Sequence, residues 1–217
     1  MSEKISFTTS DGVTIVGNLY KGGSERFAIF LHKMSSTKEG WEPLITRLIN
    51  GQAVTCLAID ERGHGESTMG GKLDYKQFNN AQQQAKILDA QVAFDYLKTF
   101  GAREENTVIV GGSIGANIAI QFLSEHSLIK RAVVLSPGLD YCGLTTADKV
   151  KKLVEGQKIL IVTSDDDRHG SFEGSRTLKQ TNPTHVDLIE LSGAGHAETM
   201  LTKQADLTER IIDWLSK

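Results

Sequence analysis

The stretch Thr107 to Asn117 constrains this chain more than any other. Thr107-Val108-Ile109-Val110 is an uninterrupted β-branched run, the pattern of a strand covered on both faces. Ile114 to Leu123 is largely apolar, begins with small residues and is long enough for a helix. Between them lies Gly111-Gly112-Ser113-Ile114-Gly115, a G-x-S-x-G turn. A strand that must become a helix within one or two residues forces Ser113 into a strained backbone conformation. Side chains two positions to either side would collide, and Gly111 and Gly115 remove them, while Gly112 relaxes the turn further. The helix that follows aims its free N–H groups and positive end at Ser113, which suits an oxyanion. A phosphate loop or a plain connection would use the same glycines, so other parts of the chain have to decide.

The 217 residues suffice for one domain with a sizeable core, and no composition shift or linker argues for splitting residues 1–217. A net charge of −3 gives no argument for nucleic acid or an anionic membrane. No apolar run is long enough to span a bilayer, and the N-terminal residues lack a basic start followed by an apolar segment, so the expected location is the cytoplasm. Cys56 and Cys142 make neither a disulfide framework nor a zinc site, and each is expected as a small core residue.

Strand and helix signals alternate along the chain. Ile5–Thr9 and Val13–Tyr20 flank Asp11-Gly12, a hairpin signal. Phe27–His32, Ala53–Asp60, Ala132–Ser136 and Ile159–Thr163 read as buried strands, and Val186–Leu191 alternates more, as near a sheet edge. Helical patterns occupy Trp41–Asn50, about 76–100, Thr145–Val154 and Leu207–Leu215. Such alternation predicts an α/β fold, a mostly parallel sheet opened by an antiparallel hairpin, with helices on both faces.

A serine hydroxyl is a poor nucleophile unless a base accepts its proton and an anion orients that base. His196 is the candidate base, because Ser192-Gly193-Ala194-Gly195-His196 directly follows the last strand. The alternative for His196 is a cap on the final helix. Asp165-Asp166-Asp167 follows the strand Ile159–Thr163, and three adjacent carboxylates cannot all face one histidine. Asp167 stands where the turn returns over the sheet and is the preferred acid, leaving Asp165 and Asp166 to face solvent or cap the next helix. Asp140, beyond the strand Ala132–Ser136, competes with it. The oxyanion donors would be the backbone N–H groups of Ile114 and of Met34, the latter in the loop after Phe27–His32. As a side chain, Met34 would pack on Trp41.

Leu31-His32-Lys33-Met34, Ile59-Asp60-Glu61-Arg62-Gly63-His64-Gly65-Glu66-Ser67, Gly111 to Asn117 and Gly193-Ala194-Gly195-His196 follow one another in order. With Leu135 to Tyr141, these blocks make the chain resemble the α/β-hydrolase superfamily, and closely its compact bacterial esterase-like members. The resemblance implies an eight-stranded sheet, a Ser-His-Asp triad, no cofactor and no metal. It also implies hydrolysis of a small-molecule ester through an acyl-enzyme, with thioester or amide hydrolysis, or binding without turnover, as alternatives. It implies a supporting rather than a catalytic role for His64. Two positions depart from the family pattern. Lys33 replaces the usual glycine and would place a cation at the pocket mouth, favouring acidic acyl groups or having no effect. Glu198 would add negative charge beside His196 and raise its pKa. Only about Gly138 to Gln157 separates two strands where larger relatives insert a cap, which predicts an open, shallow site with little or no cap.

Overall fold

Each fully apolar run became a buried strand, and the sheet they form fixes where the serine stands. The computed structural model describes residues 2–23 and 25–217. Along the chain it forms β1 (Glu3–Thr8), β2 (Thr14–Tyr20), β3 (Phe27–Leu31), α1 (Glu42–Gln52), β4 (Thr55–Ile59), α2 (Asn80–Gln84) and α3 (Ile87–Lys98). There follow β5 (Thr107–Gly112), α4 (Ile114–Glu125), β6 (Arg131–Leu135), a small hairpin β7 (Asp140–Tyr141) and β8 (Leu144–Thr145), and α5 (Ala147–Lys151). The chain closes with β9 (Lys158–Ser164), α6 (Ser171–Thr181), β10 (Val186–Leu191), α7 (Thr199–Lys203) and α8 (Leu207–Leu215).

Eight strands form one sheet in the order β1-β2-β4-β3-β5-β6-β9-β10. The pairs β1–β2 and β2–β4 are antiparallel, and all others in it are parallel. This is the α/β-hydrolase topology, with β10 at an edge as its alternation implied. Side chains alternate across the sheet. Ile29, Leu57 and Ile109 pack with Phe94, Leu97, Ile118 and Phe122 on one face. Phe30, Val110 and Leu160 pack with Trp41, Leu44, Leu48 and Ile211 on the other. Strand β5 lies in the middle, so Ser113 emerges at the carboxyl edge where open α/β sheets place their sites.

Three expectations change in detail. The pattern over residues 76–100 is broken into a short 3₁₀ turn, α2 and α3. The break falls at Lys86, which is fully buried and reaches Glu61 at 3.0 Å. The expected helix Thr145–Val154 shrinks to α5, because the preceding residues form the β7–β8 hairpin. Its turn residues, Cys142 (φ 55°) and Gly143 (φ 83°), both have positive φ, as a two-residue hairpin turn requires. Cys142 is therefore a half-buried turn residue, whereas Cys56 is a core residue as expected.

Candidate active site

Ser113 caps the start of α4 with φ 53° and ψ −116°, outside the usual regions for a side-chain-bearing residue, a conformation costing about 1–3 kcal/mol. Its N–H donates to Leu135 O at 2.8 Å and its C=O accepts from Ala116 and Asn117. The flanking glycines are steric necessities. A Cβ on Gly111 would lie 2.2 Å from Gly115 O, and one on Gly115 would lie 2.5 Å from Leu31 O. Gly112 has a different reason from the one its sequence suggested. Its φ is not positive, and a Cβ there would lie 2.8 Å from the Glu198 carboxylate. It makes room for an acid rather than relaxing the turn.

The three aspartates after β9 divide their partners. Asp167 accepts from His196 Nδ1–H at 2.6 Å, from the His169 amide at 3.0 Å and from the Ser171 hydroxyl. Its side chain is inaccessible to solvent. Burial opposes its ionisation, but the hydrogen bonds from His196, Ser171 and the His169 amide outweigh this and hold its carboxyl well below the usual range. Asp165 and Asp166 are exposed to solvent, as expected, and they also grip the loop that carries His196. Asp165 accepts from Ser192 Oγ (2.8 Å) and Gly193 N–H (3.0 Å), and Asp166 from Gly195 N–H (2.8 Å). Ser164 Oγ takes the Ala194 N–H and Ser136 Oγ takes the Ala197 N–H. Asp140 accepts from Gly143 N–H at 2.6 Å and holds the β7–β8 turn.

The loop after β3 is equally tied. Glu61 N–H donates to His32 Nε2 at 3.1 Å, so Nδ1 carries the proton and donates to Lys33 O at 2.7 Å. Below it lie buried charges. Asp60 takes both the amide and the ammonium of Lys38, at 2.9 and 2.8 Å. Arg62 bridges Asp89 to Asp11. His64 donates to Arg62 O, stacks on Tyr75 with ring centroids 3.9 Å apart, and burial pushes its pKa down to about 3. It is a neutral buried residue that supports this loop. Met34 packs with the core cluster containing Ile114 rather than with the one containing Trp41. Among the described residues, the Met34 N–H has no protein acceptor, and the Ile114 N–H opens α4.

Ser113, His196, Met34 and Ile114 line one cleft of about 520 Å³ with Lys33, Asp140, Tyr141, Cys142 and His169. His196 keeps a fifth of its side chain exposed (20%), so the cleft opens to solvent, in keeping with a minimal cap. Tyr141, Cys142 and His169 were not identified from sequence. Tyr141 and Cys142 belong to a hairpin without a strong turn signal, and His169 to a loop read only for its aspartates. Tyr141 fits against Gly138, where a Cβ would lie 2.5 Å from its ring. Burial pushes its hydroxyl up to about 12, so it stays protonated. The two departures from the family pattern meet one another. Lys33 lines the cleft, and its ammonium donates to Thr199 Oγ1 at 2.8 Å. Glu198 accepts from the Lys33 amide, at 2.6 Å, and burial pushes its carboxyl up. Asp167, His169 and His196 offer ligand atoms within 4.8 Å of one another. Holding a cation there would cost the Asp167–His196 hydrogen bond.

No helix among the described residues is long and apolar enough to cross a membrane. Among solved structures, the chain is similar to the Pyrococcus furiosus esterase Pf2001, with 22% identity over 100% of this chain and 92% of that one and a TM-score of 0.79. It is similar to the Exiguobacterium antarcticum esterase (14% identity, 99% and 100% covered, TM-score 0.75) and to the esterase domain of a Rhodothermus marinus protein (15%, 99% and 97%, 0.73). At these identities the likeness is one of fold. No curated protein matches the sequence significantly. The profile of the Hydrolase_4 family, described as serine aminopeptidase, S33, matches residues 24–160, which include Ser113 and end before Asp167 and His196. With a match over more than half its length, on an α/β-hydrolase fold, the chain belongs to the Hydrolase_4 (serine aminopeptidase, S33) family of serine hydrolases.

Proposed function

We propose that the protein is a carboxylesterase acting on short acyl esters of small molecules in the cytoplasm, within one domain spanning residues 1–217. The observation that carries this reading is that Asp167, alone among the three adjacent aspartates, is hydrogen-bonded to His196, and that His196 shares an open cleft with the strained Ser113. In this reading His196 Nε2 takes the Ser113 proton as Oγ attacks the carbonyl. Asp167 keeps the proton on Nδ1 and stabilises the imidazolium without accepting it. The Met34 and Ile114 amides receive the oxyanion. His196 then protonates the departing alcohol, and water releases the acid by the same steps. The cleft, open to solvent and uncovered by a large inserted cap, supports short acyl groups.

The family description favours a second reading, cleavage of an amide on the same machinery. The test is a rate comparison of p-nitrophenyl acetate, longer p-nitrophenyl esters and aminoacyl p-nitroanilides, with Ser113→Ala alongside. A fluorophosphonate probe located by peptide mass spectrometry supplies the second readout. Ester turnover that falls with chain length and a label on Ser113 support the proposal. Faster anilide cleavage would replace it with the amide reading. An unlabelled, inactive wild type would leave a binding protein on a hydrolase fold.

A further inference from the structure

We propose that Glu198 is a positioning residue for the oxyanion site and that Lys33 is its counter-ion, the two forming a brace between the loop after β3 and the loop after β10. This rests on the reading of the Met34 amide as an oxyanion donor.

The Glu198 side chain is only 4% exposed. One carboxylate oxygen accepts the Lys33 N–H at 2.6 Å, and the other lies 3.8 Å from the Lys33 ammonium. That ammonium also donates to Thr199 Oγ1 at 2.8 Å and to His196 O at 3.4 Å. One lysine is thus held at its backbone and at its side-chain end by residues 163–166 positions away in the chain. The peptide unit joining Lys33 to Met34 is fixed as a consequence. Its C=O accepts from His32 Nδ1–H at 2.7 Å and from Ser36 N–H at 3.1 Å. The described residues contain no cis peptide, so the Met34 N–H must point opposite to that carbonyl. With the preceding peptide pinned on Glu198, neither plane is free to rotate.

The same carboxylate explains Gly112, whose missing Cβ leaves the space it occupies. The serine turn, the oxyanion loop and the base loop therefore meet at one side chain. A carboxylate so near a developing oxyanion would oppose it electrostatically, and the Lys33 ammonium offsets that charge. The two departures from the family pattern are a matched pair.

The experiment compares wild type, Glu198→Ala, Glu198→Gln, Lys33→Met and the Lys33→Met/Glu198→Gln double variant in the full chain. For each, kcat and KM on p-nitrophenyl acetate are measured, with the Ki of butylboronic acid as a tetrahedral mimic. Loss of one oxyanion donor costs on the order of 10²–10³ in kcat, so misaiming one is expected to cost about 10–100-fold in Glu198→Ala. KM is expected within about twofold of wild type and the boronate Ki weaker by the same factor as kcat. Glu198→Gln keeps an oxygen for the Lys33 N–H and is expected within about fivefold of wild type. Lys33→Met is expected to lose about tenfold, most of it recovered in the double variant, where no uncompensated charge remains.

A merely structural role would not give this split or this rescue. Should Glu198→Ala fail to fold, the Lys33→Met pair decides by itself. Equal impairment of Glu198→Gln and Glu198→Ala, an unchanged boronate Ki, or no rescue in the double variant overturns the brace. An active wild type with indifferent variants overturns the brace alone, and a wild type without Ser113-dependent turnover overturns the underlying reading as well.

Discussion

Adding one methyl group at Gly111 tests the geometry of the serine turn directly. An ideal Cβ there meets Gly115 O at 2.2 Å, Gly115 C at 2.5 Å and Ala116 N at 2.7 Å, where ordinary contact begins at 3.4 Å. The worst contact is about 1.2 Å too short. All three atoms are backbone in the first turn of α4, so no rotamer change relieves the clash. The turn must open, carrying Ser113 and the Ile114 amide by something near 1 Å. Such a displacement is expected to lower kcat by about 100-fold and stability by about 1–3 kcal/mol, which is roughly 2–12 °C in melting temperature for a chain of this size.

Gly51 supplies the control. It lies near the end of α1, and a Cβ there meets nothing within 4 Å. Gly51→Ala is expected to leave activity unchanged and to stabilise by up to about 1 kcal/mol. The assay pairs urea unfolding with p-nitrophenyl acetate hydrolysis and the rate of fluorophosphonate labelling. A Gly111→Ala protein with wild-type stability and labelling rate would refute the argument, because the backbone would then have accommodated a contact it has no room for.

Further predictions concern the neighbouring acids. Asp167→Asn is expected to lower kcat by about 10³–10⁴-fold, because it no longer enforces the His196 tautomer; kcat within tenfold of wild type would point to another acid. The same variant has a pH signature. The folded Asp167 carboxyl ionises below its unfolded value of 3.8, so the unfolded chain binds the extra proton between the two. Its stabilising contribution is present above that range and lost as pH falls through it. Acid unfolding should therefore be steeper below pH 4 in wild type than in Asp167→Asn, and parallel curves would contradict this. Asp165→Ala and Asp166→Ala each release an amide of the His196 loop and are expected to lower kcat about three- to tenfold with KM unchanged, as steady-state kinetics on p-nitrophenyl acetate would show. Asp89→Ala leaves the buried Arg62 with Asp11 as its remaining carboxylate partner and is expected to cost about 1.5–3 kcal/mol in urea unfolding, with kcat in the folded fraction close to wild type.

Much of the fold was legible because its signals are local. Apolar runs such as Phe27–Leu31 and Ile159–Val162 have no other stable place than between two helical layers, and Asp11-Gly12 specifies its own turn. The serine turn was legible for the same reason, since a strand-to-helix reversal needs glycine at fixed offsets whatever surrounds it. Where local signals were weak, reading failed. Nothing in Tyr141-Cys142-Gly143-Leu144 announced a hairpin, and nothing in the helical pattern around Lys86 told that its ammonium would be drawn inside to Glu61.

The sequence by itself determined the strand and helix alternation, the glycine spacing about Ser113 and the order serine, aspartate, histidine. Only the tertiary structure decided the partners. Asp165, Asp166 and Asp167 have one chemistry and adjacent positions, and they differ only in which donors the turn after β9 brings to each. Lys33 and Glu198 lie 165 residues apart, and nothing local in either announced that the Lys33 amide would meet the Glu198 carboxylate. Side-chain chemistry is written in the residue, but charge and hydrogen-bond direction take effect only over a few ångströms. Which groups come that close is set by how the strands order in the sheet.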